Sequence, residues 1–195
     1  IMPSLVGSEM CIRDSYKGEY DQAVKDYNRV LAIRPKYAEA YVYRGEAYRL
    51  KGDYEQAIAD YDRALSINPQ LFKVFLDKGI AYTNEGKYDR AIESFTRALS
   101  LNPEYTEAYL NRGLCYRYKG EYEKAVRDYD KVISIDPNFS RAYFNKALVC
   151  EKMGRIQEAV EAYKGFIRVA PPKYWAYIQF ARKRVEKLRG DGNDR

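Results

Sequence analysis

Apolar and polar positions follow a pattern along this chain that returns every 34 residues. The clearest copy spans 38–71, and it recurs as 72–105, as 106–139 and more loosely as 140–173. The first three copies carry an aromatic, a small residue and a second aromatic at intervals of four and three, followed by Gly, Ala, an aromatic and Pro. The fourth copy keeps this pattern except that Cys150 replaces the second aromatic. A self-similar period of this length is typical of proteins built from stacked structural repeats.

Each copy predicts two helices joined by a tight turn. In the first copy, Tyr41, Gly45 and Tyr48 share one face of a helix over 41–50, because residues three and four apart lie on the same side. A glycine in the middle of a helix costs about 1 kcal/mol relative to alanine. We therefore expect that a side chain would collide at Gly45, and that an aromatic ring from the partner helix fills the space above it.

The turn and the second helix carry their own signals. Gly52 tolerates the left-handed conformation at a helix end, and Asp53 can cap the start of the next helix. That second helix is predicted over 54–67, and Asn68-Pro69 ends it because proline disfavours a helical residue before it.

These shared positions resemble the tetratricopeptide (TPR) repeat, and the resemblance covers nearly all of residues 16–173. It implies an all-α fold, a right-handed α-solenoid of helix-turn-helix repeats with a C-terminal capping helix. It also implies a non-catalytic protein–protein interaction scaffold, because members of this family hold a peptide or partner segment in a concave groove. The predicted boundaries are a partial repeat at 16–37 and full repeats at 38–71, 72–105, 106–139 and 140–173.

The first fifteen residues do not fit the repeat. The stretch Ser4–Ser15 instead resembles, in one reading frame, the translation of a transposase adapter used to build sequencing libraries. We therefore predict that residues 1–15 are an artefact of a metagenomic assembly and that natural coding sequence resumes near Tyr16. The partial repeat would then lack its first helix, and we expect the helix over 20–33 to fray because its apolar face is open.

A capping helix over 174–189 and a frayed tail over 190–195 are predicted after the repeats. The packing face of the helix is set by apolar residues at intervals of four and three, namely Tyr174, Ile178, Ala181, Val185 and Leu188. Its other face is basic, with Arg182, Lys183, Arg184 and Lys187. We expect this basic face to be solvated, and the alternative is that it binds nucleic acid or a membrane surface.

The family resemblance places the peptide-binding groove on the first helices of successive repeats. Carried onto this chain, the candidate peptide-binding residues are Val42, Tyr43, Glu46, Leu76, Asp77, Ile80, Leu110, Asn111, Leu114, Phe144, Asn145 and Leu148. An amide both donates and accepts hydrogen bonds, so Asn111 and Asn145 are expected to hold a peptide backbone. The alternative is that the apolar members of the set only pad the neighbouring helix. The two-carboxylate clamp of TPR domains that grip chaperone C-termini is not matched, since Val42 and Glu46 stand where it needs Lys and Asn.

Composition excludes several classes of function. The chain has no histidine, no nucleotide-binding glycine motif and no metal-binding cysteine cluster, so we predict no catalysis, no cofactor and no metal site. Its carboxylates fall on polar helix faces near Lys and Arg, as solvated ion pairs would. The net charge is +6, and most of the excess lies in the C-terminal helix. Cys115 and Cys150 fall at inward positions, and two buried free thiols favour a reducing, cytoplasmic compartment.

Three alternatives to a free-standing scaffold stay open from the sequence. The chain could be the regulatory or substrate-docking arm of a larger enzyme whose catalytic part precedes Tyr16. It could be an adaptor that uses the basic C-terminal helix on anionic surfaces. Self-association through the open N-terminal end is the third.

Overall fold

The computed structural model describes the backbone of residues 4–193 and the side chains of residues 19–189. Within those ranges the chain forms ten α-helices and one short 3₁₀ helix, with no strand. It divides into two compact units. The N-terminal unit ends at Leu101, and the C-terminal unit begins at Asn102.

The N-terminal unit is a succession of antiparallel neighbours in which each helix packs against the next, and α2 also touches α4. Its helices are α1 Ser4–Ile33, α2 Ala38–Lys51, α3 Tyr54–Ile67, α4 Phe72–Asn84 and α5 Tyr88–Leu101. The predicted helix over 54–67 is confirmed, while the predicted helix over 41–50 is extended at both ends in α2.

The C-terminal unit follows the same plan, with contacts between successive helices and between α6 and α8. Its helices are α6 Thr106–Tyr118, α7 Tyr122–Ile135, α8 Ser140–Lys152, α9 Ile156–Val169, a 3₁₀ helix Pro172–Tyr174 and α10 Trp175–Asn193. Ala181 and Leu188 of α10 are buried in the core of this unit, as the capping-helix prediction requires. Helix α10 continues to Asn193, beyond the predicted end at residue 189.

Helix α1 differs from the short helix that was expected. It runs without a break from Ser4 to Ile33, through Gly18, where the repeat pattern places a turn. A turn gives up helical hydrogen bonds, and it is favourable only when the two helices it joins bury apolar surface against each other. Before Tyr16, two of the three expected packing positions are not matched, because Gly7 and Asp14 stand where the repeat carries aromatic residues. The side chains of residues 1–15 lie outside the described residues, and their adapter origin stays a prediction.

The turn glycines are confirmed as left-handed helix ends. Gly52 has φ of 90°, and the equivalent Gly86, Gly120 and Gly154 have φ of 74°, 78° and 73°. Asp53 does not cap α3 as predicted, because its side chain makes no capping hydrogen bond. Its carboxylate instead lies 3.3 Å from Lys51 Nζ.

The mid-helix glycines are confirmed as points of close approach. A Cβ atom at Gly45 would lie 2.8 Å from Tyr61 Cε1, and one at Gly113 would lie 2.7 Å from Tyr129 Cε1. Both distances are shorter than non-bonded carbon atoms tolerate. The ring of the second helix therefore occupies the space of the missing side chain. The fourth repeat has the reverse arrangement. There the ring of Tyr143 in the first helix, α8, covers Gly165 of the second helix, α9.

Aromatic residues of the second helices form the centre of the core, while those of the first helices are only half-buried. The second-helix rings, each 0% exposed, are Tyr61, Phe95, Tyr129 and Tyr163. The half-buried rings of the first helices stand four residues before the small residue of the repeat, and they are Tyr41, Phe75, Tyr109 and Tyr143.

Two carboxylates contradict the expectation that all of them are solvated. Asp60 and Asp128 are each 5% exposed. Arg44 donates to both oxygens of Asp60 at 2.7 and 2.6 Å. Arg112 does the same to Asp128 at 2.8 and 2.7 Å. The bidentate guanidinium satisfies the oxygen atoms that burial removes from water, which is how a buried charge is tolerated.

Candidate functional site

In the N-terminal unit, the candidate residues lie on α2 and α4, which touch each other. Leu76 is 9% exposed and packs in the core, so it is not available to a partner. Tyr43 is exposed, and its ring stacks on Tyr27 of α1 at a centroid distance of 5.9 Å. Val42 and Ile80 are half-buried. This side of the unit therefore offers less free apolar surface than the sequence pattern predicts.

A polar cluster dominates this side of the N-terminal unit. Asp77 of α4 lies near Arg49 and Glu46 of α2. Burial raises the pKa of Asp77 to about 6. The positive charge of Arg49 lowers this pKa, and the negative charge of Glu46 raises it further. Arg49 is also 3.8 Å from Glu46, measured from Nη2 to Oε1. The cluster thus holds two carboxylates and one guanidinium.

In the C-terminal unit, the candidate residues lie on α6 and α8. Leu110 is 1% exposed and belongs to the core, so for this residue the padding alternative is the correct one. The remaining five are half-buried and reach the surface, namely Asn111, Leu114, Phe144, Asn145 and Leu148.

Three of these five line an apolar cavity of about 280 Å³. They are Leu114 and Phe144, which supply its apolar wall, and Asn145, which supplies a polar edge. The other lining residues, which the sequence analysis did not select, are Arg141, Phe166, Tyr174 and Tyr177. A signal for Phe166 was present, since it replaces a small residue of the other repeats. The available signal for Tyr177 was its spacing in the last helix, three residues after Tyr174 and four before Ala181.

Phe144 is the centre of an aromatic cluster at this cavity. Its ring centroid is 5.0 Å from Phe166, 5.4 Å from Tyr177 and 6.0 Å from Phe180. The contacts with Tyr177 and Phe180 are edge-to-face, an arrangement that aromatic quadrupoles favour. Tyr177 and Phe180 are still 54% and 43% exposed. The cluster is therefore buried on its inner side, at Phe166, and exposed to solvent on its outer side.

The two asparagines are held by their own helices. Asn111 Nδ2 donates to the carbonyl oxygen of Glu107 at 2.7 Å, and Asn145 Nδ2 donates to that of Arg141 at 2.9 Å. Asn145 Oδ1 also accepts from Arg117 Nη1 at 3.4 Å. An amide has two N–H donors, so each side chain is oriented by one and can offer the other to a ligand.

The basic face of α10 is divided by the structure. Arg182, Lys183 and Lys187 are exposed, as expected. Arg184 is not part of a solvated face, because it forms an ion pair with Glu151 of α8 and its Nε donates to Glu151 Oε2 at 3.2 Å. Of the four basic residues that were predicted to form one exposed face, three are therefore exposed and one is paired within the protein.

The described side chains contain no group of three or more residues placed to hold a metal ion. Cys115 and Cys150 are buried thiols, and burial raises the pKa of the Cys150 thiol. Among the helices of residues 4–193, none combines the length and apolar character needed to cross a membrane.

Comparison with protein-family models finds the tetratricopeptide repeat along most of the chain. One model of this repeat matches residues 38–71, 72–105 and 106–139. A second TPR model matches residues 16–50, and a third matches residues 128–161. A search of curated protein sequences finds no match.

Solved structures with this architecture are numerous. A crystal structure of MamA is 30% identical, covers 92% of this chain and 97% of that chain, and has a TM-score of 0.72. A crystal structure of YrrB, a TPR protein with an unusual peptide-binding site, is 24% identical over 87% of this chain and 86% of that chain, with a TM-score of 0.71.

A third solved structure is a complex. It is the first TPR of Spaghetti (RPAP3) bound to the HSP90 peptide SRMEEVD, and it is 26% identical. The match covers 60% of this chain and 93% of that chain, with a TM-score of 0.58. Together these similarities confirm the predicted fold class, an all-α solenoid of two-helix repeats closed by a C-terminal helix.

Proposed function

Because this chain belongs to the tetratricopeptide repeat family, we propose that it is a non-catalytic scaffold that binds a segment of a partner protein on the face formed by α6 and α8. The observation that carries the proposal is the cavity between Leu114, Phe144 and Tyr177, which combines an open aromatic wall with an oriented amide. An apolar pocket with a few fixed polar groups is the usual form of a ligand site.

The chemistry of this face suits an extended peptide. An apolar side chain of the partner would enter the cavity, where Phe144 and Phe166 give it a wall that is already in place. Asn111 and Asn145 would hold the peptide backbone, since an amide can pair with both the N–H and the carbonyl of a peptide unit. The similar TPR domain of Spaghetti, which is bound to a peptide, supports this assignment.

The test is a screen of a random peptide library displayed on phage against the full chain. Peptides enriched by the protein are then synthesised and their affinities measured by isothermal titration calorimetry. A buried anchor residue typically contributes about 1–2 kcal/mol or more when truncated. We expect the double variant Asn111→Ala and Asn145→Ala to weaken binding by about that amount, and Leu114→Ala to weaken it independently.

A matched control is Asn138→Ala, which removes an exposed amide from the turn between α7 and α8. This variant should bind with the affinity of the unmodified protein. Equal affinities for the double variant, the control and the unmodified protein would place binding elsewhere and refute the proposed site. Absence of any enriched peptide would refute peptide binding itself.

A further inference from the structure

The buried tyrosines of the second helices differ in what surrounds their hydroxyl groups. In the fourth repeat, Tyr163 Oη donates to Glu151 Oε2 at 3.0 Å. The same carboxylate pairs with the guanidinium of Arg184. The carboxylate of Glu151 thus accepts hydrogen bonds from a buried hydroxyl and from an arginine.

The third repeat has the hydroxyl and the arginine without the carboxylate. Tyr129 is 0% exposed, and its hydroxyl has no hydrogen-bond partner among the described residues. Burial raises the pKa of the Tyr129 hydroxyl, and the charge of Arg117, which stands at the repeat position of Glu151, opposes that rise. The nearby carboxylate of Asp128 is committed to Arg112. A buried hydroxyl without a partner costs free energy, so a ligand that supplies an acceptor is favoured.

We propose that this position binds the carboxylate of an Asp or Glu side chain in the partner segment. The carboxylate would accept hydrogen bonds from Tyr129 Oη, from the guanidinium of Arg117 and from the second N–H of Asn145. The fourth repeat supports a side-chain carboxylate, because that is the group that Tyr163 holds there. This inference rests on the proposed function, and it adds the charge that the partner must carry.

The carboxylate position and the apolar cavity are contiguous. Asn145 accepts from Arg117 on one side and lines the cavity on the other. Among the described residues that line the cavity, Arg141 is the one with a charged side chain, and like Arg117 it is basic. The favoured partner is therefore an extended segment with an acidic residue roughly one or two residues from a large apolar one.

The N-terminal unit shows what would prevent this binding. There Arg49 and Tyr61 stand at the positions of Arg117 and Tyr129, but Asp77 replaces Asn145 and lies beside Glu46. These two carboxylates would repel an acidic ligand. The preference for an acidic partner is thus assigned to the C-terminal unit, and the variant Asn145→Asp, which introduces the carboxylate that stands at Asp77 in the N-terminal unit, tests it.

The experiment uses the peptides selected on phage by the full chain, synthesised with both termini blocked. Replacing their acidic residue with its amide, Glu→Gln or Asp→Asn, should weaken binding about tenfold or more, because hydrogen bonds to a charged group are the stronger class. The variants Arg117→Gln and Asn145→Asp should abolish most of this preference for the acidic peptide. Tyr129→Phe keeps the ring over Gly113 and should reduce the preference less.

The matched control is Asp62→Asn, which removes an exposed carboxylate of the N-terminal unit that pairs with Lys78 at 2.6 Å, and it should leave the preference unchanged. Circular dichroism melts of every variant separate loss of binding from loss of folding. A selected peptide that binds equally well with Glu and with Gln would overturn the carboxylate site while leaving the scaffold function in place. Binding that requires a free peptide C-terminus would overturn the assignment to a side chain. A library without enriched peptides would overturn both proposals.

Discussion

Arg44 and Asp60 in the N-terminal unit form the same buried ion pair as Arg112 and Asp128 in the C-terminal unit. In both units a tyrosine of the second helix also covers a glycine of the first helix. The units differ at an outward position of the next first helix, where α4 carries Asp77 and α8 carries Asn145. The comparison teaches that the packing positions of the repeat are constrained by contacts within the unit, whereas the outward positions are free to change chemistry.

The difference at this outward position changes the electrostatics of the site. Asp77 shares its surroundings with Glu46 and Arg49, and burial raises its pKa to about 6. Asn145 cannot ionise, and its partner Arg117 is left without a carboxylate from α8. In the N-terminal unit the arginine thus lies beside carboxylates, whereas in the C-terminal unit Arg117 donates to the neutral amide of Asn145.

The most severe test of the shared packing is Gly113→Leu. The leucine side chain would begin 2.7 Å from Tyr129 Cε1, and neither the helix backbone nor the buried ring can move far. We expect a loss of about 3 kcal/mol in the free energy of unfolding, from overpacking. Gly45→Leu should cost a similar amount in the other unit. Thermal melts measure both, with Tyr118→Leu at an exposed site as the control, and an unchanged melt for either glycine variant would refute the packing argument.

The second test breaks the shared ion pair with Arg112→Leu. Asp128 would remain buried without a counter-charge, and we expect a loss of about 2–3 kcal/mol in the free energy of unfolding. Lys146→Leu is the matched control, because its partner Asp130 is 49% exposed and such pairs contribute about 0–1 kcal/mol. Urea unfolding measures both variants. Equal losses in the free energy of unfolding for the two variants would show that the buried pair stabilises the protein no more than the exposed pair.

The third test addresses the position where the units differ, through Asp77→Asn. The pKa of Asp77 is about 6 in the folded protein, and an aspartate in an unfolded chain titrates near ~3.9. The folded state therefore holds the proton more tightly, and its stability falls as the pH rises between ~4 and ~6. Removing the carboxylate should raise the free energy of unfolding at neutral pH by about 1–2 kcal/mol.

The same substitution should flatten the stability of the protein between acidic and neutral pH. Urea unfolding at a series of pH values measures this effect. Asp62→Asn is the control, since Asp62 is 54% exposed and pairs with Lys78 at the surface. A variant that is less stable than the parent at neutral pH would mean that the attraction of Arg49 outweighs burial at Asp77.

The smallest effect is expected from Arg184→Gln, which removes the partner of Glu151 in the fourth repeat. Both side chains are about one-quarter exposed, so we expect a loss of about 1 kcal/mol in the free energy of unfolding. Arg182→Gln, on the exposed side of the same helix, should be neutral within about 0.5 kcal/mol. If the two variants behave alike, the carboxylate held between Tyr163 and Arg184 is not a stabilising arrangement.

Much of the fold followed from the repeat pattern, because its signals are local. A glycine at a turn, a proline after a helix and residues spaced three and four apart act over a few positions. Gly52 and the helix over 54–67 were predicted for this reason. The missing turn at Gly18 was not, since a turn also depends on whether the helix before it has a face to pack.

The candidate site was predictable only in part. The pattern found Leu114, Phe144 and Asn145, because they lie on the outward side of the first helices. It could not separate Leu110, which faces the core, from residues one turn away that reach the surface. It also missed Tyr177, since that residue reaches the cavity from a helix outside the repeat.

The sequence by itself determined the two-helix repeat, the glycines under aromatic rings and the absence of histidine chemistry, because each depends on residue type and short spacing. Only the tertiary structure decided which carboxylates are buried and which arginines are already paired. Arg112 and Asp128 are 16 residues apart and meet between consecutive helices, and Glu151 and Arg184 are 33 residues apart. In each pair the arginine neutralises the carboxylate through a contact between helices, and the spacing of residues within one helix does not encode such a contact. The tertiary structure therefore decided where charge remains for a partner, at Arg117 beside Tyr129 and Asn145.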